Sequence, residues 1–171
     1  MCAKVFTRVG LPLKIAEEML SQVGAQLIFA PLWTEDDIVQ NATEADAVIV
    51  GSTEPYTKKA IQAMSKCKII SRYGIGYANI DVVEATRQGI PITVVPDASI
   101  HEVSDFAMAC ILAFSRKIIP LSQSVRLGAW KTGSEEINKV RGKMFRLNRQ
   151  VLGLVGMGRI GSLVAQKAMA F

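Results

Sequence analysis

Long apolar runs are missing from this sequence. The longest, Phe106–Phe114, falls well short of the ~20 residues that a membrane-crossing helix needs, and it reads as a buried helix. Cysteine is scarce: Cys2, Cys67 and Cys110 lie far apart and are odd in number. That spacing offers neither a disulfide framework nor a metal-ligand set, and reduced thiols in a cytoplasmic protein are the simplest account. Aromatic residues make up 6% of the chain and no Lys/Arg run stands out, which leaves little support for a nucleic-acid partner. The first residues, Met-Cys-Ala-Lys-Val-Phe-Thr-Arg, place charges inside the first short apolar stretch, so no signal peptide is expected. Internal repeats and low-complexity tracts are also lacking. Only one histidine, His101, is present.

What the sequence does have is the composition of a globular protein. Half of its 171 residues are apolar and a fifth are charged. The length suits one ordinary domain, or a small domain followed by part of another. A formal charge of +5 and a pI near 9.2 suit anionic ligands such as carboxylates and phosphates, although a solvated basic surface would read the same way.

Short runs rich in Val and Ile recur at Lys4–Val9, Gln26–Phe29, Ala47–Val50, Lys68–Ser71 and Ile92–Val95. Helical spacing fills the gaps. Over Leu13–Val23 it puts Ile15, Ala16, Met19, Leu20 and Val23 on one face, and Thr57–Met64 and Asn79–Arg87 follow, the last closed by Gly89 and Pro91. Strand and helix in alternation predict a parallel α/β sheet. After Pro96 the rhythm changes. Ser99–Leu127 reads as a long helix, capped by Ser99 with Glu102 three residues on, and kinked or divided at Pro120. Phe106, Met108, Ile111, Leu112 and Phe114 make its first half apolar nearly all round, so burial on more than one side is expected, whether in a core or at an interface. Gly128–Gln150 shows no period and reads as a connection. Val151–Val155 reads as a buried strand, and Ile160–Phe171 as a helix.

Between those last two elements stand Gly156, Gly158 and Gly161, in a G-x-G-x-x-G spacing. The first glycine permits a tight turn, the second lets the backbone approach a pyrophosphate, and the third lets helix and strand pack closely. The amides and positive dipole end of the helix, entered through Arg159 and Ile160, then face the phosphates. The motif is weak alone, but here it follows a strand pattern and opens a helix. An acidic residue for the ribose hydroxyls is expected ~20 residues later, past Phe171, so NAD and NADP cannot be told apart by that signal. A nucleotide fold needs more than one strand and one helix, and a longer functional parent is therefore expected.

Several motifs, taken in order, resemble one family. They are Arg72-Tyr-Gly-Ile-Gly-Tyr-Ala-Asn-Ile-Asp81, Gly89-Ile-Pro91, Val95-Pro96, His101-Glu-Val-Ser-Asp105, Arg141-Gly-Lys143 and Gly156-Met-Gly-Arg-Ile-Gly161. Together they are similar to the D-isomer-specific 2-hydroxyacid dehydrogenases, the family of phosphoglycerate dehydrogenase. The resemblance implies a flavodoxin-like substrate domain over residues 1–98. It implies a connecting helix and the first strand–turn–helix of a doubly wound, Rossmann-type NAD-binding domain over 99–171. The Ser99 helix would serve as a homodimer contact.

The resemblance also implies site residues. Arg72, Tyr73, Gly74, Ile75 and Gly76 would face a small anionic 2-hydroxy or 2-keto acid. The amides of Ile75 and Gly76 would receive its carboxylate, and Arg72 would hold a substrate phosphate as in phosphoglycerate dehydrogenases. A strand-to-helix turn with Arg72 as a surface charge is the plainer reading. Gly156, Gly158, Arg159, Ile160 and Gly161 would hold the cofactor, NAD, with NADP open, and no metal is implied. Where the family has Asp before Asn-Ile-Asp, this sequence has Ala78, which removes a brace from the loop. The family's catalytic arginine, glutamate and histidine follow the glycine turn, so none is expected within these residues. His101 belongs to a different motif and reads as a cap or cleft-edge residue, with Ser104 and Asp105 toward the nicotinamide side of the cleft. A non-catalytic dinucleotide-sensing corepressor of the same fold is the alternative.

Overall fold

Strands of two to five residues, each followed by a helix that carries the chain back, can pair only in parallel. The computed structural model describes residues 2–8, 10–129 and 135–171, and the chain divides into two compact units, Met1–Ala98 and Ser99–Phe171. In the first unit the order is β1 (Lys4–Arg8), α1 (Lys14–Gln22), β2 (Gln26–Ala30), α2 (Glu35–Asn41), β3 (Ala47–Val50), α3 (Lys58–Ala63), β4 (Ile70–Arg72), α4 (Val82–Arg87) and β5 (Ile92–Thr93). All pairs are parallel and the sheet order is β2-β1-β3-β4-β5, the flavodoxin-like arrangement, whose direction reverses between β1 and β3. The extension of the first strand to Val9 falls outside the described residues.

Register explains the core. Ile28, Phe6, Val48, Ile70 and Ile92 stand opposite one another across the five strands. Period-two alternation sends them all to one face. There they meet Leu32, Ile38, Tyr56 and Ile61 from α2, α3 and the loops before them, and Met64 at the C-terminal end of α3. Full burial of such an aliphatic side chain contributes about 1.5–3 kcal/mol. Helix α2 is absent from the periodicity reading. It is short, with one buried residue, and it is set by a capping box in which Thr34 accepts from the Asp37 amide while Asp37 accepts from that of Thr34.

On the opposite sheet face, helix α1 lies beside Ile49 and Ser71. The apolar stripe of this helix lies where the spacing puts it, but none of its residues is buried, and Ile15 and Met19 are 74% and 63% exposed. They border an open groove with Ile49, Ser71, Tyr73 and Val95.

The second unit holds α5 (Ile100–Ser115), α6 (Ile118–Arg126), α7 (Glu135–Arg141), a 3-10 turn at Leu147–Arg149 and α8 (Arg159–Ala168). Four expectations change here. Ser99 occupies the N-cap position, but at φ −153° and ψ 21° its hydroxyl bonds no backbone amide. The long helix divides at Lys117, a left-handed residue at φ 53°, which leaves Pro120 in the first turn of α6, where its missing N–H costs nothing. Helix α5 buries only Ser104 and Met108, because α8 and α6 cover one side of it while Phe106 and Phe114 stay exposed. The stretch read as a connection contains α7, held by buried Ile137 and an i,i+4 pair from Lys139 to Glu135 at 3.1 Å. Residues 130–134 of that stretch lie outside the described residues.

Val151–Val155 is not a strand. No other extended segment of the second unit lies beside it among the described residues, and Val151 and Val155 are fully exposed. A strand is defined by its neighbour, and an apolar pattern without one stays irregular.

Candidate functional site

In open parallel sheets, ligands bind outside the carboxyl ends of the strands, close to where the order reverses. Three loops of the first unit meet at that edge. After β3, Glu54 is almost completely buried, and its carboxylate accepts from the amides of Gly51 (3.2 Å) and Thr53 (3.1 Å). It pairs with Nε of Arg8 at 3.0 Å, at the end of β1. The Arg8 guanidinium also donates to Thr53 Oγ1 and lies 4.2 Å from the centroid of the Trp33 ring. Asn79 donates to the carbonyls of Gly51 and Glu54 and accepts from the Tyr56 amide, so the end of the β4–α4 loop is fastened to the β3–α3 loop. Sequence reading had passed over Arg8 and Glu54. The available signal was a charge at the end of an otherwise apolar strand run.

The loop after β4 carries the residues expected to bind substrate. Its stem is tied on both sides: Tyr73 N donates to Val50 O, and Val95 N to Gly74 O. Gly74 has φ +138°, a conformation open to glycine and strained for other residues. Arg72 is 8% exposed, which excludes the surface-charge reading. Its guanidinium donates Nε–H to the Gly76 carbonyl at 2.6 Å and a second N–H to the Tyr73 carbonyl. No carboxylate pairs with it among the described residues. The amides of Ile75 and Gly76 donate to nothing among the described residues, and both residues are exposed. A buried cation beside amides that lack acceptors is an arrangement whose chemistry suits an anion. Ala78 is exposed. Asn79 at the stem and Arg72 tie the loop to its surroundings and to itself.

The second unit contains the glycine turn. Gly156 has φ +98°. Gly158 is the N-cap of α8, and nothing stands within 4 Å of where its Cβ would be. A Cβ on Gly161 would come within 2.3 Å of Gly156 O, so the first turn of α8 rests directly on the loop. The three glycines therefore do three different things: they turn, leave an open approach, and pack. First-turn amides of a helix have no intrahelical acceptors, and this geometry fits the pyrophosphate of a dinucleotide. Farther along α8, Lys167 bonds Ser104 Oγ (2.6 Å), Asp105 and the His101 carbonyl, all on α5. Ser104 and Asp105 thus anchor α8. His101 lies in the exposed first turn of α5. Among the described residues no group of His, Cys, Asp or Glu is arranged to hold a metal, and no helix is long and apolar enough to cross a membrane.

A flavodoxin-ordered parallel sheet, an amide-rich loop at its carboxyl edge and a phosphate-type glycine turn define a class, the α/β proteins that bind small anions and dinucleotides. Comparison with known proteins narrows this. Residues 9–171 match the family described as D-isomer specific 2-hydroxyacid dehydrogenase, catalytic domain, and the chain belongs to that family. It is 32% identical over 170 residues to a glyoxylate reductase of Korarchaeum cryptofilum, an alignment covering 96% of this chain and 50% of the relative. It is 34% identical over 162 residues to a D-3-phosphoglycerate dehydrogenase of Mycobacterium bovis, covering 92% of this chain and 29% of the relative. The chain thus spans half or less of these relatives. Its fold resembles that of the D-lactate dehydrogenase of Aquifex aeolicus, solved with NAD and lactic acid, at a TM-score of 0.80 and 24% identity, covering 98% of this chain and 48% of that one.

Proposed function

We propose that this chain supplies the substrate-binding domain and the pyrophosphate turn of a nicotinamide-dependent oxidoreductase that interconverts D-2-hydroxy acids and 2-keto acids. The observation that carries the reading is the pair of unpartnered amides at Ile75 and Gly76, set over a buried guanidinium in a chain of this family. Those amides receive the substrate carboxylate, with the exposed side chains of Tyr73 and Ile75 beside them. Gly156, Gly158 and Gly161, with the amides that open α8 at Arg159 and Ile160, hold the dinucleotide, NAD in our reading. A nicotinamide bound there would supply the hydride acceptor for C2 of the hydroxy acid, or the donor for the keto carbon in reverse. The alcohol proton and the polarised carbonyl need groups that the family places after the glycine turn, so the chain works as part of a longer polypeptide. In that polypeptide the exposed apolar surface of α5, with Phe106 and Phe114, is a homodimer contact.

Absorbance at 340 nm tests this. Residues 1–171 alone leave NADH unoxidised in the presence of glyoxylate, hydroxypyruvate or phosphohydroxypyruvate, whereas the longer parent oxidises it. In the parent, Gly76→Val raises KM at least several-fold. Turnover by residues 1–171 alone would place the catalytic groups inside this chain. A parent inert toward every 2-keto acid would remove the dehydrogenase reading. Sedimentation of the parent as a monomer would remove the α5 contact.

A further inference from the structure

We propose that Arg72 is a positioning residue that shapes the anion loop from beneath and does not touch substrate, so the loop itself receives one carboxylate and no phosphate. This rests on the reading of Ile75 and Gly76 as the carboxylate site. Three observations carry it. First, the guanidinium is committed: Nε–H serves the Gly76 carbonyl and a second N–H the Tyr73 carbonyl, both belonging to the loop that the arginine precedes. Second, it lies flat under Gly74. A Cβ there would meet three guanidinium atoms, NH1 at 2.6 Å and Cζ and NH2 at 3.1 Å, so the absent side chain of Gly74 is the space Arg72 occupies. Third, the side chain is 8% exposed and has no acidic partner among the described residues, leaving little surface for a second anion.

The consequence for recognition follows from charge and geometry. Anchoring the Tyr73 and Gly76 carbonyls fixes both ends of the segment that carries the Ile75 and Gly76 amides, and the Gly74 carbonyl, held by Val95 N, points away from the Ile75 N–H of the same trans peptide group. The buried positive charge then adds a favourable potential at the anion without forming a contact. A phosphate ligand would need a guanidinium with free, exposed N–H groups, because bidentate recognition uses the outer fork. Here Nε and one terminal nitrogen already serve the loop's own carbonyls, and little of the side chain is left exposed. Substrates bearing only a carboxylate are therefore recognised by this loop as fully as phosphorylated ones.

The test uses the 171-residue chain labelled with 15N, with glycolate and 3-phosphoglycerate as probes. In the wild-type chain both probes move the Ile75 and Gly76 amide resonances, with dissociation constants within about threefold of one another. Arg72→Met, which fills similar space but cannot donate, weakens both by a common factor of about ten, in line with losing charged hydrogen bonds. It also mobilises residues 73–77 on the nanosecond scale while the resonances of β1 and β3 stay in place. If Arg72→Met does not fold, Gly74→Ala provides the same test, because its methyl displaces the guanidinium and leaves the arginine in the chain. Selective loss of 3-phosphoglycerate, with glycolate binding intact, would make Arg72 a phosphate ligand and overturn the proposal. An equally ordered loop with unchanged binding in either variant would overturn it too. If neither probe moves the wild-type amides, the carboxylate reading itself fails, and the change in loop order alone still decides whether Arg72 braces the loop.

Discussion

Gly161→Ala places a methyl group where there is no room. The new Cβ would stand 2.3 Å from Gly156 O and 3.2 Å from Gly156 C, both backbone atoms that cannot rotate away. Ordinary contact begins at 3.4 Å, so α8 and the turn must separate by roughly 1 Å. Overpacking of this kind costs about 1–3 kcal/mol. Alanine's better helix propensity returns at most about 1 kcal/mol, and less in a first turn. The net loss is on the order of 1–2 kcal/mol, and for a unit of 60–100 residues each kcal/mol lowers Tm by about 4–8 °C. Gly153→Ala is the control, because nothing stands within 4 Å of its Cβ and its φ is ordinary. Calorimetry should show a low-temperature shift for Gly161→Ala alone, and the Gly156 amide resonance should move. If the two variants melt together and that amide stays in place, the close approach of helix and turn is not real, and the phosphate-cradle argument loses its geometric basis.

Further outcomes are expected elsewhere. Bonds from Arg87 and then Gln88 hold the Glu84 carboxyl down at about 2, against an ordinary 4.5. Its contribution is therefore complete above pH 4.5 and fades as pH falls toward 2; urea titrations across that window should show a shallower acid loss in Glu84→Gln. Tyr56 is wholly buried and its hydroxyl has no partner among the described residues, so Tyr56→Phe should be as stable as wild type or more so; a loss above about 1 kcal/mol would mean the hydroxyl is bonded. Lys167→Met cuts the tie from α8 to Ser104, Asp105 and the His101 carbonyl. Because the lysine is only partly buried, a loss of about 1 kcal/mol is expected by thermal melting, and no change would show the tie to be solvent-screened.

The parallel sheet was legible because its signal is local: each β-branched run followed by a helical spacing is complete within about 20 residues. Helices α2 and α7 were not, since each is mostly polar and offers only two apolar residues, Ile38 and Val39 in one and Ile137 and Val140 in the other, too few for periodicity to register. Thr34 and Asp37 did mark the first of them, but through capping chemistry. Val151–Val155 failed for the opposite reason. Its pattern is strong, but strand formation is a property of two segments, and no second one stands beside it. The apolar face of α1 was legible as a face, but its exposure was not, because a sequence shows what a helix offers and not what meets it. In the anion loop the glycines pointed to the turn, while the inward fold of Arg72 depends on the space that Gly74 leaves, which only three-dimensional packing reveals.

A binding loop that recognises its ligand through main-chain amides has an unusual genetic signature. Every residue type except proline carries the same N–H, so replacing Tyr73, Ile75 or Tyr77 alters the rim of the site but not the donors. On the carboxylate reading proposed above, an alanine scan of this loop is expected to return near-silence at Ile75, whose amide survives the substitution. It would report instead on Gly74, whose φ no alanine tolerates well, and on Arg72, whose guanidinium bonds the loop's own carbonyls. Substitutions can thus accumulate at the exposed positions and vary what sits around the carboxylate, while the recognition of the carboxylate stays fixed.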